Sequence, residues 1–265
     1  MGQELVNYSE EWAKQAETYA EQEQLRGGTF LSTRGGILSF GEEEMPGNQA
    51  CVIILDAVKE NTFYSDTFDP DTPSAPVCYA FGRGVDEMAP HESMQEAPEY
   101  FQPQSETCDT CPHNEWGSAD KGRGKACQNR RRLAIIPAGF YVPKRGSKDM
   151  DLELVDDPKH FQTCDIAFLK LPVMSVKDWA KYVTQLSASI HRPPYGVITR
   201  IFVEPDPKSQ YRVRFELIEE VPDTLAAIVM ARHEEAAKSI IQGYMPPEAR
   251  EPAPAGSLKG LRRNR

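Results

Sequence analysis

Residues 108–132 read CDTCPHNEWGSADKGRGKACQNRRR. The stretch holds three of the six cysteines and six of the thirty basic residues. It is poor in core-forming side chains, so it cannot fold by burying apolar surface, and something else must fix it. Cys108-x2-Cys111 places two thiolates where one tetrahedral ion can hold both, and Cys127 follows at a spacing usual for a further ligand. A closed structural zinc site takes four ligands. The fourth is drawn from Cys78, His113, Cys164 and Cys51. Cys51 lies in an apolar run and reads as a core thiol. Cys78 is preferred, because it ends a strand and faces the excursion that returns at Cys108. The expected cofactor is a structural Zn2+. No HExxH or deaminase pattern is present, which leaves catalytic zinc without support.

Around the cysteines lie Trp116, Lys121, Arg123, Lys125, Arg130, Arg131 and Arg132. Cations beside an aromatic suit a single nucleic-acid strand, with phosphates on Lys and Arg and bases stacked on rings. Lys125 is followed by Ala126, so the loop is not a Walker A motif. Phe63, Tyr64, Tyr79 and Phe81, on flanking strands, extend the candidate stacking platform. The chain as a whole is acidic, with net charge −10. The charge is uneven, however. Residues 84–107 carry six acidic and no basic side chains, whereas 117–132 carry six basic residues against Asp120. Over a Debye length of roughly 8 Å, local charge outweighs the total.

Working outward, CVIILDAV at 51–58 reads as a buried strand, Glu60-Asn61 as a turn, and the following TFYSDTF as a second strand. TFLST and ILSF flank Arg34-Gly35-Gly36 as a hairpin. LAIIP at 133–137 is a strand returning to the core, and 144–157 reads as an exposed loop. Ser175 to Asp178 matches a capping box, and Val176, Trp179, Val183, Leu186 and Ile190 give an apolar helical stripe. Residues 195–203 and 211–218 read as paired strands. Residues 1–27 form a helical arm, 28–222 the core with its zinc-binding insertion at about 78–132, 223–244 a helix, and 245–265 a Pro-rich, disordered basic tail. There is no apolar run of roughly 18 residues, and the acidic start MGQELVNYSEEWAKQ lacks a signal region. A cytoplasmic, non-membrane protein is expected.

The pattern resembles bacteriophage single-stranded DNA-binding proteins that carry a zinc subdomain on an OB-type β core. The matching features are CVIILDAV, Pro76-Val77-Cys78, CDTCPHNEWGSADKGRGKAC followed by RRRLAII, and the later strand–helix–hairpin ending in YRVRFELI. The resemblance implies an α+β, mainly β chain with an OB-like barrel. It also implies ligation by Cys78, Cys108, Cys111 and Cys127, and a non-enzymatic role in replication or recombination in the host cytoplasm. Partner proteins would be met through the acidic segments. One departure is the ending GSLKGLRRNR, basic where such proteins often carry an acidic tail. Two other functions fit less well. One is a zinc-bearing factor that binds a polymerase or replication enzyme. The other is a metal-dependent nuclease using Asp69, Asp71 or His113-Asn114, for which Asp-Pro turns are the simpler reading.

Overall fold

The computed structural model describes residues 29–40, 43–65, 75–84, 88–120, 122–144, 146–147 and 149–246. The 1–27 arm, Phe68, Asp69, Asp71, Lys121 and most of the 245–265 tail lie outside the described residues. The fold is mixed α/β, mostly strand, with three α-helices among the described residues.

Two long antiparallel strands form its spine, β4 (Gln49–Phe63) and β6 (Gln128–Pro143). They pair from Thr62↔Gln128 to Cys51↔Gly139. Pro137 has no N–H to give the ladder, and the register shifts beside it, between Cys51 and Val52; bulges are where strands tolerate proline. The expected turn at Glu60-Asn61 does not form, and β4 runs straight through it. A buried carboxylate and amide are tolerated mid-strand because partners some seventy residues away satisfy them. Glu60 pairs with Arg132, and Asn61 accepts from Asn129 at 2.7 Å. The expected strand 133–137 is likewise only the middle of β6, which takes in the arginine run.

The remaining strands are β1 (Thr29–Ser32), β2 (Ser39–Phe40), β3 (Glu43–Glu44), β5 (Cys78–Gly82), β7 (Met150–Leu154), β8 (Ala167–Leu171), β9 (Val197–Asp206) and β10 (Gln210–Glu220). They join one sheet in the order β10-β9-β4-β6-β8-β1-β2-β3, with β5 added on β4 and β7 on β6. Pairing is antiparallel except β1 with β8. The sheet is open, because β10 and β3 end the path without pairing to each other. It nevertheless curls. Asn48 Nδ2 donates to Gly36 O (2.8 Å) and Val203 O (3.3 Å), holding the β1–β2 turn against β9.

Alternation along the strands builds two cores. One face gathers Val52, Ile54, Leu133, Ile135, Leu169 and Ile201 around Trp179, Tyr182 and Leu186 of α2 (Val176–Ser189). The other buries Ile53, Leu55, Ala134 and Ile136 under Phe161 of α1 (Pro158–Thr163) and under Leu225 and Val229 of α3 (Asp223–Ser239). The stripe that predicts α2 lies on its buried side, but the capping box does not form. Ser175 Oγ accepts from Val213 N–H of β10 at 2.9 Å instead, and Asp178 takes the guanidinium of Arg214. Strand β7 occupies part of the expected loop 144–157, pairing with the end of β6.

After α3, residues 240–246 run as a strap over the face that carries Glu60 and Arg132. Arg132 Nη1 donates to Ile240 O (3.1 Å) and Gln242 O (2.9 Å), and Tyr244 OH donates to Glu60 Oε1 (2.8 Å). Gly243 lies so close to the 93 turn that a Cβ there would overlap Ser93 Oγ and sit 2.8 Å from Tyr79 Oη. Gly243→Ala is therefore expected to destabilise the chain by about 1–3 kcal/mol, as overpacking does. Urea unfolding reads this directly; an unchanged midpoint would mean that the strap is loose. Among the described residues no helix is long and apolar enough to cross a membrane.

Candidate metal and nucleic-acid site

Between β4 and β6 the chain leaves the spine and returns. Cys78 opens β5 directly opposite Phe63 of β4. The acidic excursion then folds back along this strand. His91 N–H donates to Tyr79 O, Gln102 N–H to Val77 O, and Cys108 N–H to Met88 O, each at 2.8–2.9 Å. It is tied down by buried Met94, Ala97 and Phe101, the apolar residues within a run that otherwise has no period.

The segment beyond it is held by local hydrogen bonds. Asn114 N–H donates to Cys111 O (2.9 Å) and its Nδ2 to Cys108 O (2.7 Å), which fixes the turn between the two cysteines. Cys127 N–H donates to His113 O (2.8 Å), bringing the third cysteine back to that turn. Gly117 has φ 92° and Gly122 φ 84°, values that favour glycine, so the loop between reverses there. Ser118 Oγ accepts from Ala126 N–H and closes the loop base.

The result is that Cys78, Cys108, Cys111 and Cys127 line one small cavity, together with Asn61, Phe63, Gln104 and Asn114. None forms a disulfide. The thiols sense one another. Burial pushes Cys127 up to about 12, and the charges of Cys108, Cys111 and Cys78 add to it. Burial raises Cys78, opposed by a hydrogen bond from the Gln104 backbone and reinforced by Cys108 and Cys111. Burial also raises Cys108, while a hydrogen bond with Asn61 lowers it. Among the described residues no three His, Cys, Asp or Glu side chains are already set as a metal site. The four cysteines line a common space as largely buried thiols. In type and number they match the all-cysteine, four-thiolate donor set of structural zinc.

The other candidates for the fourth position lie elsewhere. The His113 ring stacks on Phe63 at 4.0 Å and does not line the cavity. Cys51 is in the core, pushed up to about 12 by burial, and Cys164 is pushed up to about 11 by burial, beside Arg232.

The basic and aromatic residues divide sharply. Trp116 is 81% exposed, and Lys125 Nζ stands 5.9 Å from its ring centroid, steadied by Asn114 Oδ1 at 3.1 Å. Arg123 is exposed on the same loop. On β6 the arginine run alternates. Arg131 lies opposite Lys59, on the face that carries Asn61 and Cys78. Burial lowers its pKa. Arg130 and Arg132 point to the opposite face. Arg130 and Arg131 keep partial exposure.

Three expected nucleic-acid contacts are overturned by burial. Arg132 has a side chain only 5% exposed, ion-paired to fully buried Glu60 and stacked 4.2 Å over Phe81. Tyr79 is 1% exposed, its hydroxyl sharing a hydrogen bond with Ser93, and Phe81 is buried beneath Arg132 and Tyr244. Residues 88–101 and the 240–246 strap cover this face, so no base can reach these rings. Phe63 and Tyr64 are half-buried at the end of β4, with Phe63 against His113.

Among the described residues, Glu92, Glu96, Glu99 and Glu106 form no ion pair with Arg123, Lys125, Arg130 or Arg131. Sequence reasoning gives Lys59 and Asn61 no role here and weighs Asn114 only for a nuclease. The first two were hidden by reading 60–61 as a turn. Asn114 had a signal in its place three residues after Cys111, where a side-chain amide can cap the knuckle.

The chain matches no protein-family model, no curated protein and no solved structure.

Proposed function

We propose that the protein binds single-stranded DNA without sequence preference, using a loop stapled by a structural zinc ion on Cys78, Cys108, Cys111 and Cys127. The observation that carries this reading is the convergence of four cysteines on one cavity whose lining residue Asn114 holds Lys125 beside the exposed Trp116, with Arg123 and Arg131 free of carboxylate partners among the described residues. The zinc fixes a loop that has almost no core of its own. The loop then holds a cation 5.9 Å from an exposed indole ring, a pairing that suits the phosphate and base of a single strand.

The strand order β8-β6-β4-β9-β10, with α2 between β8 and β9, supports an OB-like reading of the core. Successive antiparallel pairings leave β8 and β10 pointing the same way, as OB strands three and five do. In this chain β1 pairs with β8 where that closure would fall. The cysteine unit then occupies the connection between OB strands one and two, a position OB folds use for oligonucleotides. A replication or recombination role, phage origin and host-cytoplasm location rest on the family resemblance. The exposed Glu92, Glu96, Glu99 and Glu106 offer a surface for a partner of basic chemistry. Of the nuclease candidates, Asp69 and Asp71 lie outside the described residues, while His113 stacks on Phe63 and Asn114 holds the cysteine turn.

Titration with oligo(dT) tests the interface. Trp116→Ala is expected to weaken binding by about 1–3 kcal/mol, the value of one base–aromatic stack. Lys125→Ala and Arg131→Ala should weaken it uniformly across sequences, and each should lower the slope of log K against log salt by about 0.7. Wild-type affinity in all three variants would contradict the proposed surface.

A further inference from the structure

We infer that Phe30 and Lys170 form a second single-strand contact on the face of the sheet, an inference that rests on the DNA-binding reading above. Among the described residues only two aromatic rings are exposed, Trp116 and Phe30. Each has a lysine beside it. Lys125 Nζ stands 5.9 Å from the Trp116 centroid, and Lys170 Nζ stands 4.8 Å from that of Phe30. The pairing that marks the loop is thus repeated on β1 and β8.

The strand register joins the two places. Phe30 lies opposite Phe168 in the parallel β1–β8 pair, with the ring centroids 5.6 Å apart. Lys170 is two residues beyond Phe168 and shares its face. It lies directly opposite Arg132 of β6. Arg130, partly exposed, is on the same face and roughly 7 Å nearer the cysteine unit, since β6 begins one residue after Cys127. From β6 over β8 to β1 is two strand spacings, roughly 10 Å.

Phe30 is not placed as a core residue. β1 is an interior strand, between β8 and β2. A ring on such a strand is ordinarily covered by the next layer, but here the cover stops short. The 240–246 strap closes over Arg132, Phe81 and Tyr79, and Tyr244 accepts a hydrogen bond from Lys170 Nζ at 2.7 Å. Phe30, beyond it, keeps 39% of its surface open, with the buried Phe168 as its floor. Arg132 is also near the ring but is committed to Glu60 and to the strap carbonyls. The Tyr244 hydroxyl and ring, the latter 4.2 Å away, hold the Lys170 ammonium in place. A fixed ammonium beside an open ring offers one phosphate contact and one base stack together.

The zinc-loaded, full-length protein tests this with oligo(dT) of about 16 nucleotides, the upper end of the site size of one OB fold. Phe30→Leu keeps an apolar side chain on Phe168 and removes the ring, and should weaken binding about tenfold. Lys170→Gln should lower the slope of log K against log salt by about 0.7. Photocrosslinking of the wild-type chain to an oligonucleotide carrying iododeoxyuridine gives a readout independent of how either variant folds. Adducts are expected on the peptides that carry Trp116 and Phe30. Wild-type affinity in Phe30→Leu, a wild-type slope in Lys170→Gln, or adducts confined to Trp116 would overturn this inference and leave the loop reading standing. If the wild-type chain fails to bind at low salt, both fall.

Discussion

Cys127→Ser is expected to remove bound zinc and to open the segment 102–127 to protease. The wild-type chain should carry one zinc ion and the variant close to none. The magnitude follows from how little else holds the segment. Its apolar anchor is Cys108 against Ala80 and Met88 outside it, and its remaining ties are backbone and amide hydrogen bonds partly open to water. A structural zinc ion supplies about 10–16 kcal/mol of apparent binding energy in small domains, which here would be local folding energy. Cys78→Ser should behave the same way, because Cys78 lines the same cavity from β5. Cys164→Ser, beneath Arg232, should leave zinc content unchanged. Zinc analysis with limited proteolysis reads all three. Full zinc content in Cys127→Ser would show that the four sulfurs do not act as one donor set.

Arg132→Ala should cost about 3–5 kcal/mol of folding stability, because it strands a buried charge. Glu60 is fully buried, its Oε2 already has no partner, and among the described residues Arg132 is the only cation paired with it. The same change frees the carbonyls of Ile240 and Gln242 and takes the cation off Phe81. Arg131→Ala, one residue away on the opposite face and only half-buried, should cost about 1 kcal/mol or less. The paired change Glu60→Gln with Arg132→Met should recover much of the loss, since removing both charges leaves no unpaired ion. Denaturant unfolding separates these outcomes. A cost below about 1 kcal/mol for Arg132→Ala would mean that water reaches Glu60.

The two arginines show where sequence reading stops. A run of three cations reads as one basic surface, but on a strand its members alternate between faces. Whether they alternate depends on β6 beginning at Gln128 rather than at Leu133. That boundary is set by β4, whose continuation through Glu60 and Asn61 depends in turn on Arg132 and Asn129. Neither strand end is decided locally, so neither is legible locally. The same holds for Ser175 and Asp178, whose capping pattern is genuine but whose side chains find better partners on β10. By contrast, the Cys108, Cys111 and Cys127 cluster, the apolar run of β4, the stripe of α2 and the β9–β10 pair are carried by spacing and periodicity alone. Those features survive into the structure with only their boundaries moved. The aromatics fail for a different reason. Tyr79 and Phe81 lie on a strand face whose cover comes from residues 88–101 and from a strap far downstream, and nothing in their own neighbourhood reports it.

The protein is proposed to grip a single strand with its zinc-stapled loop. A fluorescence titration of the zinc-loaded protein with oligo(dT) and with duplex DNA, across a range of salt, tests it most directly. Tight oligo(dT) binding is expected at low salt, with quenching that is lost in Trp116→Phe if the indole stacks on a base. Log K should fall linearly with log salt, and duplex should bind much more weakly. No binding to oligo(dT) at low salt, or equal binding to both forms with Trp116 unaffected, would contradict it.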